Sequence, residues 1–293
     1  MDQAEQLRIL KSNRQSRPMA RVIAVTSGKG GVGKSNTAIN LAIQFRRKDK
    51  KVIILDADFG LANIEVMFGA VPKNNLYDLI YQGKAIREII TWGPMEVGFI
   101  SGGSGIAGMA NLSRDYLNCI IQNLAELDSL ADIIIVDTGA GISDAVLEFL
   151  VSSGEVVLVT TPEPTSITDS YSLLKALYRH PRFSENDTKV KMLANRVDKE
   201  AEGQILFSKL NAVVTRYLEI PMTYLGSIPQ DSQLSKAVMQ QVPVSLQNPG
   251  ARSSQAYEQI AGRLLGEKET KRQPKRGMAA FFSHLLNINQ GGN

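Results

Sequence analysis

The stretch Gly28-Lys29-Gly30-Gly31-Val32-Gly33-Lys34-Ser35 decides how the rest of the chain is read. It fits the pattern Gly-x-x-x-x-Gly-Lys-Ser/Thr in full. It follows an apolar, β-branched run at residues 22–26 and opens a helical pattern over residues 34–47. Glycines let the backbone curl until successive N–H groups point at one anion, and a helix N-terminus adds its dipole. The chemistry implied is a phosphate cradle. Gly28, Gly30, Gly31, Val32 and Gly33 offer backbone, Lys34 reaches the β- and γ-phosphates, and the Ser35 hydroxyl ligates Mg²⁺, with Asn36 next in line.

Working outward, short apolar runs recur at residues 52–55, 97–100, 133–136, 156–160, 189–194 and 223–228. Several are apolar on both faces, as buried parallel strands are. Helical patterns lie between or after them at 114–127, 144–151, 166–178, 205–217 and 254–265. Strand, helix, strand in alternation predicts an α/β fold: a doubly wound, mostly parallel sheet with helices on both faces. The expected body is one domain over residues 20–266, flanked by a polar segment 1–19, a charged linker 267–276 and an apolar segment 277–293.

Composition bounds the function. Of 293 residues, 43% are hydrophobic and 21% charged, which excludes wholesale disorder. One cysteine, Cys119, excludes an internal disulfide and a cysteine-rich metal site within one chain. The net charge of +4 is unevenly placed. Residues 1–21 and 267–276 each carry five basic and two acidic groups, so the remainder is slightly acidic. That argues against a body built as a nucleic-acid groove and favours tails that meet an anionic surface or an acidic partner. No run approaches 18 apolar residues, and the N-terminus lacks an apolar signal core, so a cytoplasmic body is expected.

Three carboxylates support the phosphate loop. The run 52–55 ends in Asp56-Ala57-Asp58, and Asp137 ends the run 133–136. Acids on strand ends beside a phosphate loop can orient Mg²⁺ or an attacking water. Asn195 ends the run 189–194 and is followed by Arg196. Its amide can donate and accept at once, which suits the edge of adenine, although without a family resemblance a turn asparagine is the default reading.

Lys29 extends the loop to Lys-Gly-Gly-x-Gly-Lys-Ser, which resembles the deviant phosphate loop of the MinD/ParA ATPases. The resemblance covers residues 20–266. It implies ATP/ADP and Mg²⁺ as cofactors, slow regulatory hydrolysis and an ATP-dependent homodimer. It implies that Lys29 crosses the dimer interface to the partner's nucleotide, a lysine counterpart of an arginine finger. It gives Asp58 the hydrolytic water and Asp137 the Mg²⁺, held through water. Thr138-Gly139-Ala140-Gly141 becomes a flexible second switch, Pro229-Gln230-Asp231 the adenine loop, and Glu163 a contact to nucleotide across the dimer.

Within that family, Asp56 through Gly69 and Asp137 through Gly141 resemble the flagellar-number regulators, the FlhG group, also called YlxH or FleN. Ahead of the body, Asp2, Gln3, Ala4, Leu7 and Arg8 match that group's D-Q-A-x-x-L-R motif, which implies binding and stimulation of the GTPase FlhF. Flagellar C-ring proteins are further candidate partners by the same resemblance. At the other end, Met278, Phe281, Phe282, Leu285 and Leu286 share one helical face behind Lys275 and Arg276. An apolar stripe with an upstream basic cluster reads as a helix for anionic membrane lipid, placing the ATP-bound protein on the inner face of the cell membrane. The alternative, a last helix packed on the body, is weakened by the ten-residue charged linker, and both arrangements can hold in turn, docked in one nucleotide state and released in another.

Competing readings are a ParA/MinD-type ATPase for DNA segregation or division-site placement, an iron–sulfur carrier and a tyrosine kinase. The near-neutral body speaks against the first, the lone Cys119 against the second and the absence of tyrosines after Tyr257 against the third. Ser101-Gly102-Gly103-Ser104-Gly105 lacks a lysine and reads as a loop, His180 and His284 as surface residues, and Trp92 and Cys119 as packing residues.

Overall fold

The computed structural model describes residues 19–58, 63–102, 123–218, 221–266 and 277–285. Eight strands form one sheet: β1 (Arg21–Ser27), β2 (Val52–Ala57), β3 (Thr91–Trp92), β4 (Gly98–Ser101), β5 (Ile133–Ala140), β6 (Glu155–Thr160), β7 (Lys189–Val197) and β8 (Met222–Pro229). Their order is β3-β4-β2-β5-β1-β6-β7-β8. All neighbours pair in parallel except β3 with β4, a two-residue antiparallel edge.

Alternation along the strands builds two cores. On β1, Val22 and Ala24 face one side with Ile53, Leu55, Ile134 and Val136. Ile23 and Val25 face the other with Ile54, Ile135 and Val157. The second side is covered by α1 (Lys34–Arg46), α2 (Asn63–Phe68), α9 (Ser232–Met239), α10 (Val244–Gln247) and α11 (Arg252–Gly266). The first side carries α3 (Leu76–Gln82), α4 (Ile86–Ile89), α5 (Leu127–Leu130), α6 (Asp144–Ser152), α7 (Pro164–Arg179) and α8 (Glu200–Leu218). Helices on both faces of a mainly parallel sheet are the doubly wound arrangement the sequence implies.

Three strands run further than their apolar cores suggest. Asp56, Asp137 and Asn195 lie inside β2, β5 and β7, not after them. A buried polar residue keeps its ladder hydrogen bonds while its side chain turns toward the site. Thr138, Gly139 and Ala140 of the expected flexible switch are also strand. The Thr138 hydroxyl bonds Val25 O and Thr26 Oγ1, and Gly141 N donates to Ser27 O at 3.0 Å, so this segment is tied to β1. The loop reading of residues 103–105, the helix over 114–122, Cys119, the N-terminal motif with Asp2, Gln3, Ala4, Leu7 and Arg8, the linker 267–276 and Leu286 lie outside the described residues.

The last described helix, α12 (Met278–Leu285), packs on the body. Met278, Phe281 and Phe282 are fully buried, and Leu285 is partly buried. Phe281 stacks on Phe149 of α6 at 6.0 Å between ring centres. Asp128 accepts from the backbone N–H of Met278 and so caps the helix start. The stripe expected to face lipid therefore faces protein, because Phe149 and its neighbours offer an apolar floor.

Two surface readings change as well. His284 lies 3.1 Å from the Ser152 hydroxyl, and His180 lies 3.3 Å from Glu148, so neither is a bare surface histidine. Trp92, expected as a packing residue, is 57% exposed, on the edge strand of the sheet among the described residues.

Candidate functional site

The phosphate loop leaves β1 at Ser27 and enters α1 at Lys34. Two of its glycines are required by what surrounds them. A Cβ at Gly28 would come within 2.2 Å of the Asp169 backbone on α7, and Gly33 holds φ +100 with Asn195 Nδ2 2.4 Å from where a Cβ would sit. Only glycine accepts both demands without strain.

Inside the loop's curve, Lys34 is buried and Asp56 and Asp137 stand directly opposite each other on β2 and β5. Asp56 Oδ2 and both Asp137 oxygens are buried with no hydrogen-bond partner among the described residues. Burial and then the neighbouring Asp137 push the Asp56 carboxyl far above its ordinary range, against the backbone N–H groups of Asp58 and Ile64. Burial likewise pushes Asp137 up, and the nearby Ser35 hydroxyl and Lys34 charge hold the rise back. Orphaned, desolvated oxygens beside a hydroxyl suit a hard cation that takes one or two protein oxygens and completes its shell with phosphate and water. Asp58 lies next to them, its N–H donating to Asp56 Oδ1 at 3.1 Å and its own oxygen 3.8 Å from a Cβ position at Gly139.

Asn195 and Arg196 act on the loop itself. Asn195 Nδ2 donates to Val32 O at 2.7 Å, while its Oδ1 accepts from Arg196 N. Arg196, at φ +58, donates through its guanidinium to Gly31 O at 2.7 Å. The adenine-edge reading of Asn195 thus keeps one amide hydrogen and the second lone pair of Oδ1 for a base. Asp231 has structural partners as well. One oxygen caps α9 through Gln233 N, and the other takes Ser253 N and Oγ at the start of α11. Those N–H groups outweigh burial and hold its carboxyl below the ordinary range. Its role here is to fasten two helices beside Pro229, at the end of β8.

On the outer lip, Lys29 Nζ donates to Glu163 Oε2 and to Thr165 Oγ1, each at 2.8 Å. The lysine holds the Glu163 carboxyl below its ordinary value. Glu163 is the residue before α7, and Thr165 is its second residue. Sequence reasoning missed Thr165, because a hydroxyl just behind Pro164 reads as a helix-start residue. It also missed Ser253, which announces itself only through the partner the fold supplies.

A glycine loop between strand and helix, a buried lysine and paired desolvated carboxylates define a nucleotide-binding P-loop NTPase. The chain belongs to the ParA family, described as NUBPL iron-transfer P-loop NTPases, which matches residues 18–265. It is thereby a ParA/MinD-type protein. It is 39% identical to the antiactivator FleN of Pseudomonas aeruginosa over 83% of this chain and 86% of that one. It is 37% identical to the flagellum site-determining protein YlxH of Helicobacter pylori over 91% and 90%. Its fold matches the septum site-determining protein MinD of Pyrococcus horikoshii, solved with Mg-ADP, at TM-score 0.63 and 21% identity, covering 84% of this chain and 96% of that one. Among the described residues no helix is long and apolar enough to cross a membrane.

Proposed function

We propose that this chain is an Mg²⁺-dependent ATPase switch that dimerises on ATP, associates with membrane and regulates flagellar number and placement. The observation that carries the nucleotide chemistry is the orphaned carboxylate pair Asp56 and Asp137 beside Lys34 and Ser35. The flagellar assignment is supported by the likeness to FleN and YlxH.

In this reading the backbone of Gly28–Ser35 wraps the phosphates, and Lys34 neutralises the β- and γ-phosphates. Ser35, Asp137 and Asp56 would hold Mg²⁺, which would supply neutralisation of phosphate charge. Asp58 orients the attacking water. Lys29 leaves Glu163 and Thr165 and reaches the nucleotide of a second copy, so the γ-phosphate completes the dimer. Asn195, Arg196 and Pro229 line the base end. The face of α12 bearing Met278, Phe281, Phe282 and Leu285 enters anionic lipid, and the N-terminal motif engages the GTPase FlhF.

Asp58→Ala tests the core of this reading. Binding persists while hydrolysis fails, so light scattering on a sizing column should show a dimer that persists with ATP and Mg²⁺. A monomer under those conditions would refute the dimer. A peptide of residues 1–19 should accelerate GTP hydrolysis by FlhF from the same cell, and no acceleration by peptide or full chain removes that partner.

A further inference from the structure

The parallel strands begin together at one pole of the sheet, opposite the phosphate loop. Direct hydrogen bonds knit this pole. Arg21 N donates to Asp132 O at 2.9 Å, Asp132 N to Lys51 O at 2.8 Å, and Lys51 N to Asp132 Oδ2 at 2.8 Å. Asp128 takes the N–H groups of Ala20 and Met278, and Arg21 also reaches Leu264 O at 2.6 Å. The end of α1, the start of β1, the end of α11 and the start of α12 therefore meet here.

Positive charge gathers at the same place. The turn from α1 to β2 reads Arg46-Arg47-Lys48-Asp49-Lys50-Lys51, five bases against one acid. Arg46 is engaged by Glu96 and Arg47 by Ser245 O. The ammonium groups of Lys48, Lys50 and Lys51 make no hydrogen bond or ion pair among the described residues. The pole's acids are mostly occupied: Asp128 and Asp132 by backbone N–H groups, Glu155 by Arg21 and Lys191. Two more basic stretches join the chain at this pole. Residues 1–18 carry four bases and two acids and precede Met19, and residues 267–276 carry five bases and two acids between Gly266 and Gly277.

We infer that Lys48, Lys50 and Lys51 form an anion-binding face that lies against the phosphate headgroups of a lipid bilayer. Lipid is favoured over nucleic acid because α12, with its three buried apolar side chains, starts at this pole, at Met278 on Asp128. An apolar helix beside a basic face is a membrane-interface arrangement. The inference rests on the membrane reading of α12 and adds a second contact, electrostatic and on the folded body.

The test uses the full chain and the triple variant Lys48→Gln, Lys50→Gln, Lys51→Gln, sedimented with ATP on vesicles of phosphatidylcholine alone or mixed with phosphatidylglycerol. Each lysine near an anionic surface contributes roughly a tenfold factor at most, so the variant should bind the anionic vesicles about 10- to 100-fold more weakly. The parent's binding should fall steeply with salt, and ATPase activity without vesicles should be unchanged. Phe281→Glu run in parallel reports the helix alone. If Phe281→Glu loses binding while the triple variant sediments like the parent, the helix reading stands and the lysine face is overturned. Absence of parental binding to either vesicle overturns both. Duplex DNA bound with the same lysine dependence, with no binding to vesicles, makes the face a nucleic-acid site and overturns the lipid assignment.

Discussion

Lys29 is held by Glu163 of its own chain at 2.8 Å, with side chains 37% and 50% exposed. An exposed pair of this kind is weak and easily exchanged. The lysine is therefore parked on the lip of the site without being locked there, and Thr165 shares the hold.

That arrangement sets the first prediction. Lys29→Ala should keep nucleotide binding, since Lys34 and the loop backbone are intact, and should lose dimerisation with ATP. Turnover should fall by about 10³-fold or more, the range of a charge supplied in trans. Fluorescent-nucleotide titration beside light scattering checks it. A variant that dimerises and hydrolyses as the parent would place Lys29 outside the chemistry.

Asp137→Asn should separate stability from function. The native carboxylate is fully buried, with oxygens that take no hydrogen bond among the described residues. Its raised pKa means that the charged form costs free energy in the nucleotide-free chain, and the cost grows as pH rises above the ordinary carboxylate range. The neutral amide removes that cost, so the nucleotide-free variant should unfold about 1–3 kcal/mol later at pH 8. The extra stabilisation that Mg²⁺ adds to bound nucleotide should vanish. Denaturant titrations with and without Mg-ADP decide this, and equal stability in both forms would argue against an orphaned charge.

Much of this site was legible before any fold was seen, because the loop and its flanking strand are local patterns. Strand ends were not. Asp56, Asp137 and Asn195 are polar, so the apolar runs appear to stop before them, yet the ladder continues through each. The short helices α2, α3, α4, α9 and α10 were missed, since eight residues or fewer give no clear 3.6-residue period without a strong apolar stripe. Partnerships between distant segments, such as Asp231 with Ser253 or Lys29 with Thr165, leave no local signal at all.

The apolar face of α12 cannot touch Phe149 and lipid at once. Weakening the protein side alone should therefore favour lipid. Phe149→Leu keeps an apolar residue on α6, leaves α12 unchanged and should cost about 1 kcal/mol of docking. Vesicle binding without ATP should rise about fivefold at that cost. Phe281→Glu should instead abolish binding, by setting a charge in the stripe. If Phe149→Leu sediments like the parent, docking and lipid binding are not in competition.

The last prediction concerns the triad that half-buried Arg21 forms with buried Glu155 and Lys191. Glu155 takes two guanidinium bonds from Arg21 and one from Lys191 at 2.7 Å. Burial pushes its carboxyl up, but the two cations outweigh burial and hold it below the ordinary value of 4.5. A depressed carboxyl adds stability that is complete above its unfolded value and lost as pH falls through its folded value. Global stability should thus drop as the pH is taken below about 4.5. Glu155→Gln removes the only anion of the triad and takes from Lys191, whose side chain is 6% exposed, the carboxylate it bonds at 2.7 Å. Breaking a buried pair from one side costs about 3–5 kcal/mol. Urea titrations of parent and variant from pH 7 to acid should converge as the parent's carboxyl protonates. A constant gap across that range would show that Glu155 acts through packing and not through its charge.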